Sequence, residues 1–341
     1  MLAFGLGLAH RAADGTVLDV YFPHPLHAPE EGLATAIRDA LGPIDGSITL
    51  EVDDARLARM TEMFDAHGAA ALAETARALH SARMLTVATV LEGDDPIGST
   101  GEAYLKLHLL SHRFVTPNSL NLDGIFGALP TVAWTSEGPC AVNELAAAQL
   151  RARAAGRTLT VHSVDKFPRM VDYVVPAGVR IADASRIRLG AYLGEGTTLM
   201  HEGQVNFNAG TLGAGMIEGR ISQGVVVGAE TDLGGGSSTM GTLSGGGKER
   251  VSIGERCLIG ANGGTGISLG DRCTIAAGVY VTAGSPITLL DEAGAAVRVV
   301  KGRELSGQND LLFIHNAETG RLECRTNRSA IELNEALHAN N

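Results

Sequence analysis

From Ile181 onward the aliphatic residues keep a regular beat. Ile181, Ile187, Leu193, Leu199 and Val205 stand six apart, Thr211 fills the next slot, and Ile217 follows. After a step of four the beat resumes at Ile221, Val227 and Leu233. It returns at Ile253 and Ile259, and again at Leu269, Ile275, Val281 and Ile287. A period of six matches neither a helix nor a simple strand, whose side chains recur every 3.6 and 2 residues. It is the signature of a parallel β-helix: each hexapeptide is one face, and three faces close a triangular coil of roughly 18 residues. One aliphatic per face points inward and stacks on its equivalents above and below. The residue after it is often Gly or Ala (Ala182, Gly194, Gly228, Gly234, Gly254, Gly260, Gly270, Ala276), as a tight corner requires. The asparagines of "NFNAGTLGAGMIEGRI" (206–221) suit the same corners, because Asn tolerates left-handed backbone almost as Gly does.

Two segments break the beat. "GGGSSTMGTLSGGGKERVS" (234–252) reads as a loop that leaves the coil, and "NGGTGIS" (262–268) as a smaller one. Loops on a rigid solenoid are the usual seat of function.

Outside the beat the pattern is mixed. "MLAFGLGLAHRAADGTVLDVYF" alternates and turns at Asp14-Gly15, predicting a hairpin. "DDARLARMTEMFDAHG", closed by Gly68, and "AALAETARALHSA" predict amphipathic helices. "RMLTVATVLE" predicts a strand, Ser99, Thr100 and Glu102 a capped helix start, and "NELAAAQLRARAAG" a helix ending at Gly156. "RTLTVHSVDKFPRMVDYVVPAGV" reads as a strand, a proline turn and another strand. Beyond Ile287 come short strands and a terminal helix capped near Asn327 or Ser329, a segment suited to covering the open end of the coil. The predicted organisation is an N-terminal α/β domain (1–165), a β-helix (166–288) and a small C-terminal β/α cap (289–341).

Composition agrees with a core of small aliphatics in narrow layers. Aromatic residues make up 4% of the 341, glycine numbers 44, and apolar content is an ordinary 45%. The net charge of −11 and the lack of any Lys/Arg cluster argue against nucleic acid as a partner. The four cysteines form no CxxC pair, which argues against a zinc or redox site. The start has no basic region and no long apolar run, and no stretch of 18 apolar residues occurs, so a cytoplasmic protein with no membrane partner is expected.

Glu218 is the foremost chemical candidate. It follows the in-register Ile217 and precedes Gly219 and Arg220, so a ligand can approach a carboxylate held on a rigid scaffold as base or nucleophile. The competing reading is a solvated carboxylate paired with Arg220. His201 is the one histidine within the coils; it offers a base for a different CoA-dependent acyl transfer but is too few for a zinc centre. Cys257 and Cys273 fall where small inward residues pack. A β-helix without catalysis, serving as a scaffold, is the third reading.

"MHEGQVNFNAGTLGAGMIEGRIS", "GGGSSTMGTLSGGG", "LIGANGGTGISLGDRC" and "YVTAG" together resemble the tetrahydrodipicolinate N-succinyltransferase family, in particular its longer branch. The likeness spans about 167–317, with weaker motifs in the N-terminal part. It implies a homotrimer of left-handed β-helices with active sites between neighbouring subunits. It also implies transfer of succinyl from succinyl-CoA to the amine of L-2-amino-6-oxopimelate, in lysine and diaminopimelate synthesis. By this resemblance Glu218 is the catalytic carboxylate and Arg220 contacts the acyl donor. Further donor contacts match Gly235, Ser238, Ala261, Ala276, Gly284 and Lys301, and less closely "IHNA" (314–317). The family's axial Mg²⁺ ligands match Glu202 and, where the family has Asp, Ser185.

Overall fold

A computed structural model describes residues 1–246 and 248–326. The chain divides into two compact units, one of Met1–Leu109 with Ser119–Pro168, the other of Leu110–Asn118 with the chain from Arg169 onward.

The first unit is built on an antiparallel sheet in the order Val17–Tyr21, Ala3–Arg11, Leu85–Leu91, Ile48–Glu51. The hairpin turn at Asp14-Gly15 forms as its sequence requires, with Gly15 at φ +91°. Helices Glu31–Leu41, Asp54–Ala66 and Ala70–Leu79 pack on the sheet around Phe4, Leu6, Ile37, Met60 and Phe64. The helix starts follow local chemistry. Asp53 accepts from the Arg56 amide (2.7 Å), and Ser99 and Glu102 bond reciprocally through Ser99 Oγ (2.8 Å) and the Glu102 amide (3.3 Å). A second sheet orders Gly138–Ala141, Val132–Thr135 and Val161–Asp165. The second strand read after the proline turn does not form. Residues Met170–Asp172 make a 3₁₀ turn instead, because Arg169 and Asp172 pair within it (2.9 Å) and Tyr173 and Val174 bond back to the Met170 carbonyl.

In the second unit the chain visits three parallel ladders in turn. The first face stacks Ile181, Leu199, Ile217, Leu233, Ile259 and Ile275. The second stacks Ile187, Val205, Ile221, Thr239, Thr265 and Val281. The third stacks Leu193, Thr211, Val227, Ile253 and Leu269. Nearly all of these side chains are fully buried, and each aliphatic one contributes about 1.5–3 kcal/mol by leaving water.

Inward threonines correct the reading of the interruptions. Segment 234–252 does not leave the coil as a whole: Ser238–Thr239 is a strand of the second face, and only about 240–251 departs. "NGGTGIS" is not an excursion either, since Gly264–Thr265 is the next strand of that face. Thr239 and Thr265 occupy the aliphatic slot, and their hydroxyls are satisfied internally, donating to the carbonyls of Arg220 (3.0 Å) and Ile267 (2.7 Å). Thr211 is tolerated for the same reason, its hydroxyl lying 2.7 Å from that of Thr197.

Corner backbone is left-handed at Asn208 and Asn262, and also at Glu230, Arg256 and Arg272. The charged ones lie on one corner and pair along it, Arg256 with Glu230 (2.9 Å) and Arg272 with Asp310 (2.6 Å). Gly210 is the most constrained position, at φ +153° and directly against the Tyr192 carbonyl of the rung below. Gly210→Ala is expected to destabilise the coil by about 3 kcal/mol, seen as a lowered midpoint in denaturant unfolding.

Past Val281 the coil gives way to a hairpin of Pro286–Leu290 with Ala296–Lys301. Leu311–His315 then adds in parallel to Thr274–Ile275, setting the buried Phe313 on the Ile275 column, and Leu322–Thr326 pairs antiparallel with it. The C-terminal helix expected near Asn327 or Ser329 lies outside the described residues.

Candidate active site

The step of four between Ile217 and Ile221 is a shortened corner. Between the first and second faces the chain turns through residues 200–203, 234–237, 260–263 and 276–279 on four rungs, but through only Glu218 and Gly219 on the Ile217 rung. Two residues are missing from the wall there, and Glu218 stands in the gap. The ladder is unbroken around it. The Glu218 amide donates to Leu233 O (2.7 Å), the Arg220 amide to Ser237 O (2.8 Å), and the Gln204 amide to Gly219 O (3.0 Å). Gly219 must be glycine, because a Cβ there would run into the buried Ser237 hydroxyl.

Glu202 reaches across the same gap from the corner of the rung below. A methyl group at Gly235 would lie 3.3 Å from Glu202 Oε2 and 3.5 Å from Glu218 Oε2, so both carboxylates converge on one glycine. The Glu202 carbonyl is held by Arg186 (2.8 Å), which pins the corner. Neither carboxylate makes an ion pair among the described residues, and the pairing of Glu218 with Arg220 is not formed. Glu218 is half-buried, whereas Glu202, His201 and Arg220 are exposed.

Gly235, Ala261 and Ala276 stand on this same corner edge, on three successive rungs above Glu218. The Gly235 carbonyl accepts from Asn262 N (2.9 Å) and the Ala261 carbonyl from Gly278 N (2.9 Å), which locks the stack. Arg220 and Ser238 are laddered neighbours at the start of the second face. Gly284 and Lys301 are not on the Glu218 edge. Gly284 lies at the corner after the second face, and Lys301 pairs opposite Pro286 just beyond it. The candidate residues thus occupy two edges of the coil, one face apart.

His201 shares the corner of Glu202. Asp183, close by, is held below the usual carboxylate range by hydrogen bonds from the Ser185 hydroxyl (2.7 Å) and amide (2.9 Å), with smaller help from Arg186 and His201. Ser185 is therefore engaged with Asp183, and among the described residues of one chain no three His, Cys, Asp or Glu side chains gather as a metal cluster. Glu202 is the hard oxygen ligand this corner offers. Cys257 and Cys273 are fully buried, and their thiols donate to the carbonyls of Gly270 (3.1 Å) and Gln308 (3.2 Å). The hydrogen bond to Cys273 and burial push the Cys257 thiol up, away from the reactive thiolate.

A stack of parallel hexapeptides with carboxylates gathered at a shortened corner defines a hexapeptide-repeat transferase. Residues 250–283 match the hexapeptide repeat of succinyl-transferases, and residues 129–169 match the middle region of tetrahydrodipicolinate N-succinyltransferases. The chain is 54% identical over 339 residues to the 2,3,4,5-tetrahydropyridine-2,6-dicarboxylate N-succinyltransferase of Vibrio cholerae, covering 99% of both proteins. It is 56% identical over 340 residues to that of Pseudomonas putida, covering all of this chain and 98% of the relative. A solved Campylobacter jejuni protein, assigned as a 2,3,4,5-tetrahydropyridine-2-carboxylate N-succinyltransferase, superposes with a TM-score of 0.89 at 31% identity over 97% of this chain and 93% of its own. The chain belongs to the family of 2,3,4,5-tetrahydropyridine-2,6-dicarboxylate N-succinyltransferases. The match over 129–169 falls in the N-terminal part, where the sequence motifs are weak. No helix among the described residues is long and apolar enough to cross a membrane.

Proposed function

We propose that the protein moves the succinyl group of succinyl-CoA to the amine of L-2-amino-6-oxopimelate, the opened form of its cyclic acceptor, in lysine and diaminopimelate synthesis. The observation that carries this reading is the two-residue corner, which presents the Glu218 carboxylate beside Gly235 with no competing ion pair among the described residues. In the direct route Glu218 takes a proton from the substrate ammonium. The amine nitrogen then attacks the thioester carbonyl, the C–S bond breaks, and CoA leaves as the thiol after gaining a proton. In the covalent route the Glu218 carboxylate attacks first and expels the CoA thiolate as an anhydride forms; the amine then takes the succinyl group and frees the carboxylate. Hydroxylamine separates the two once free succinyl-CoA has been removed, because only an enzyme carrying the succinyl group as an anhydride then yields succinyl hydroxamate.

In this reading Arg220, Gly235, Ser238, Ala261, Ala276, Gly284 and Lys301 hold the donor, the glycines and alanines leaving room for a thin pantetheine arm and Arg220 offering a carboxylate-binding fork. Their division between two edges of one coil supports a homotrimer of left-handed β-helices, in which one copy's edge meets its neighbour's other edge. Residues 166–288 are then the acyltransferase domain, flanked by 1–165 and 289–341, and the location is cytoplasmic. Three Glu202 carboxylates on the threefold axis suit Mg²⁺, which would supply neutralising charge; Ser185 adds no second carboxylate. The test is thiol release with succinyl-CoA, acetyl-CoA and the amino-oxopimelate acceptor. Acceptor-dependent release from succinyl-CoA is expected, and its absence overturns the reading. A mechanism using His201 as base predicts that His201→Asn, not Glu218→Gln, abolishes turnover.

A further inference from the structure

The excursion at 240–251 encloses a second feature. It is a hairpin arm: Leu243 N donates to Glu249 O (2.8 Å), Val251 N to Gly241 O (3.2 Å), and Thr242 bridges Arg250. Alternation along the returning strand puts Lys248 and Arg250 on one side and Glu249 on the other. Lys248 and Arg250 line an open pocket of about 660 Å³ together with Asn206, Ser222, Gln223 and Thr242; Glu249 does not. No acidic residue lines it, in a chain whose net charge is −11. Neither cation has a carboxylate partner among the described residues. The Arg250 guanidinium lies against Gly224, where any Cβ would displace it. Two free cations with two amides and two hydroxyls around them form a receptor for a small anion.

The level of the pocket along the coil identifies the anion. Asn206 and Ser222 follow the second-face strands of the Leu199 and Ile217 rungs, the rungs that carry Glu202 and Glu218. Of the residues assigned above to the donor, Arg220 stands at that level, whereas Gly235, Ala261 and Ala276 climb away on the Leu233, Ile259 and Ile275 rungs, and Gly284 follows the strand of the last. A carboxylate at this height belongs to the acceptor or to the succinyl end of the donor, and Arg220 on the same rung already offers its fork to the latter, so the second anion site at this level is left for the acceptor.

We infer that the pocket of Lys248 and Arg250, on the edge that carries Gly284 and one face from the chain's own Glu218, binds a carboxylate of the dicarboxylic acceptor and orients its amine toward the Glu218 of a neighbouring copy in the homotrimer proposed above. This rests on the acyltransfer reading above. It makes Lys248 and Arg250 specificity-determining residues, selecting a diacid over the corresponding monoacid amine.

The test combines kinetics with binding of pimelate, a seven-carbon diacid, by calorimetry. Arg250→Gln and Lys248→Gln are each expected to raise KM for the acceptor about tenfold or more, with KM for succinyl-CoA within twofold of wild type. Arg250→Lys should recover part of the loss. Pimelate should bind the wild type and bind Arg250→Gln at least tenfold more weakly, whereas hexanoate should bind both poorly and alike. An unchanged acceptor KM overturns the inference, and so does a rise confined to the KM for succinyl-CoA, which would make the pocket an anion site of the donor. Wild-type binding of pimelate that depends on Arg250, without any succinyl transfer, would sink the reaction assignment and leave the diacid pocket standing.

Discussion

Glu218→Gln is expected to lower turnover with succinyl-CoA by about 10²–10⁴, the range for removing a positioned proton acceptor or nucleophile. The substitution keeps shape and hydrogen-bonding capacity and removes only charge. The Glu218 amide bond to Leu233 and the ladder on either side are main-chain interactions that glutamine retains. No ion pair among the described residues is lost with the carboxylate, so unfolding should move by less than about 1 kcal/mol. A large kinetic loss with unchanged stability is the signature of a group that acts on substrate. Near-wild-type turnover would remove Glu218 from the chemistry.

Inserting Gly-Ser between Glu218 and Gly219 should be equally damaging to activity while sparing the fold. The corners at 200–203 and 234–237 show that four residues fit this edge, and lengthening a surface turn costs little chain entropy. The inward columns at Ile217 and Ile221 keep their register. What changes is the gap. A four-residue turn fills the missing piece of wall, swings the carboxylate away from Gly235, and leaves Glu202 alone over that glycine. We expect a loss of at least about 100-fold in kcat/KM, since misplacement by an ångström costs that much in a positioned reaction, with a thermal midpoint close to wild type. Full activity would mean that the short corner is only a packing detail.

The columns explain which parts of the molecule were readable beforehand. Aliphatic residues at a spacing of six announce themselves because every inward position on a face meets the same requirement, so Ile181 to Ile217 predicted three parallel ladders. Thr239 and Thr265 concealed two rungs for the converse reason. A hydroxyl can replace a methyl inside the coil when a carbonyl lies within reach, as that of Arg220 on the neighbouring rung does for Thr239 and that of Ile267, two residues on, does for Thr265, and the pattern of aliphatic residues does not reveal such a partner. The strand expected after Pro168 failed through a local contest: the Arg169–Asp172 pair closes a turn that β-propensity alone does not anticipate.

The candidate site divides the same way. Glu218 stood out because a charged residue among glycines next to an inward aliphatic needs an explanation. That Glu202 meets it at Gly235, that Gly284 and Lys301 lie an edge away, and that Lys248 and Arg250 face a pocket level with Glu218 all depend on which rung lies beside which. The sequence by itself determined the period and the aliphatic inward residues and singled out Glu218, since each follows from a steric or solvation rule acting within a few residues. The tertiary structure alone decided the company each side chain keeps. Neighbours on successive rungs are 16 to 26 residues apart along the chain, and only ladder register brings such distant positions within reach of one another.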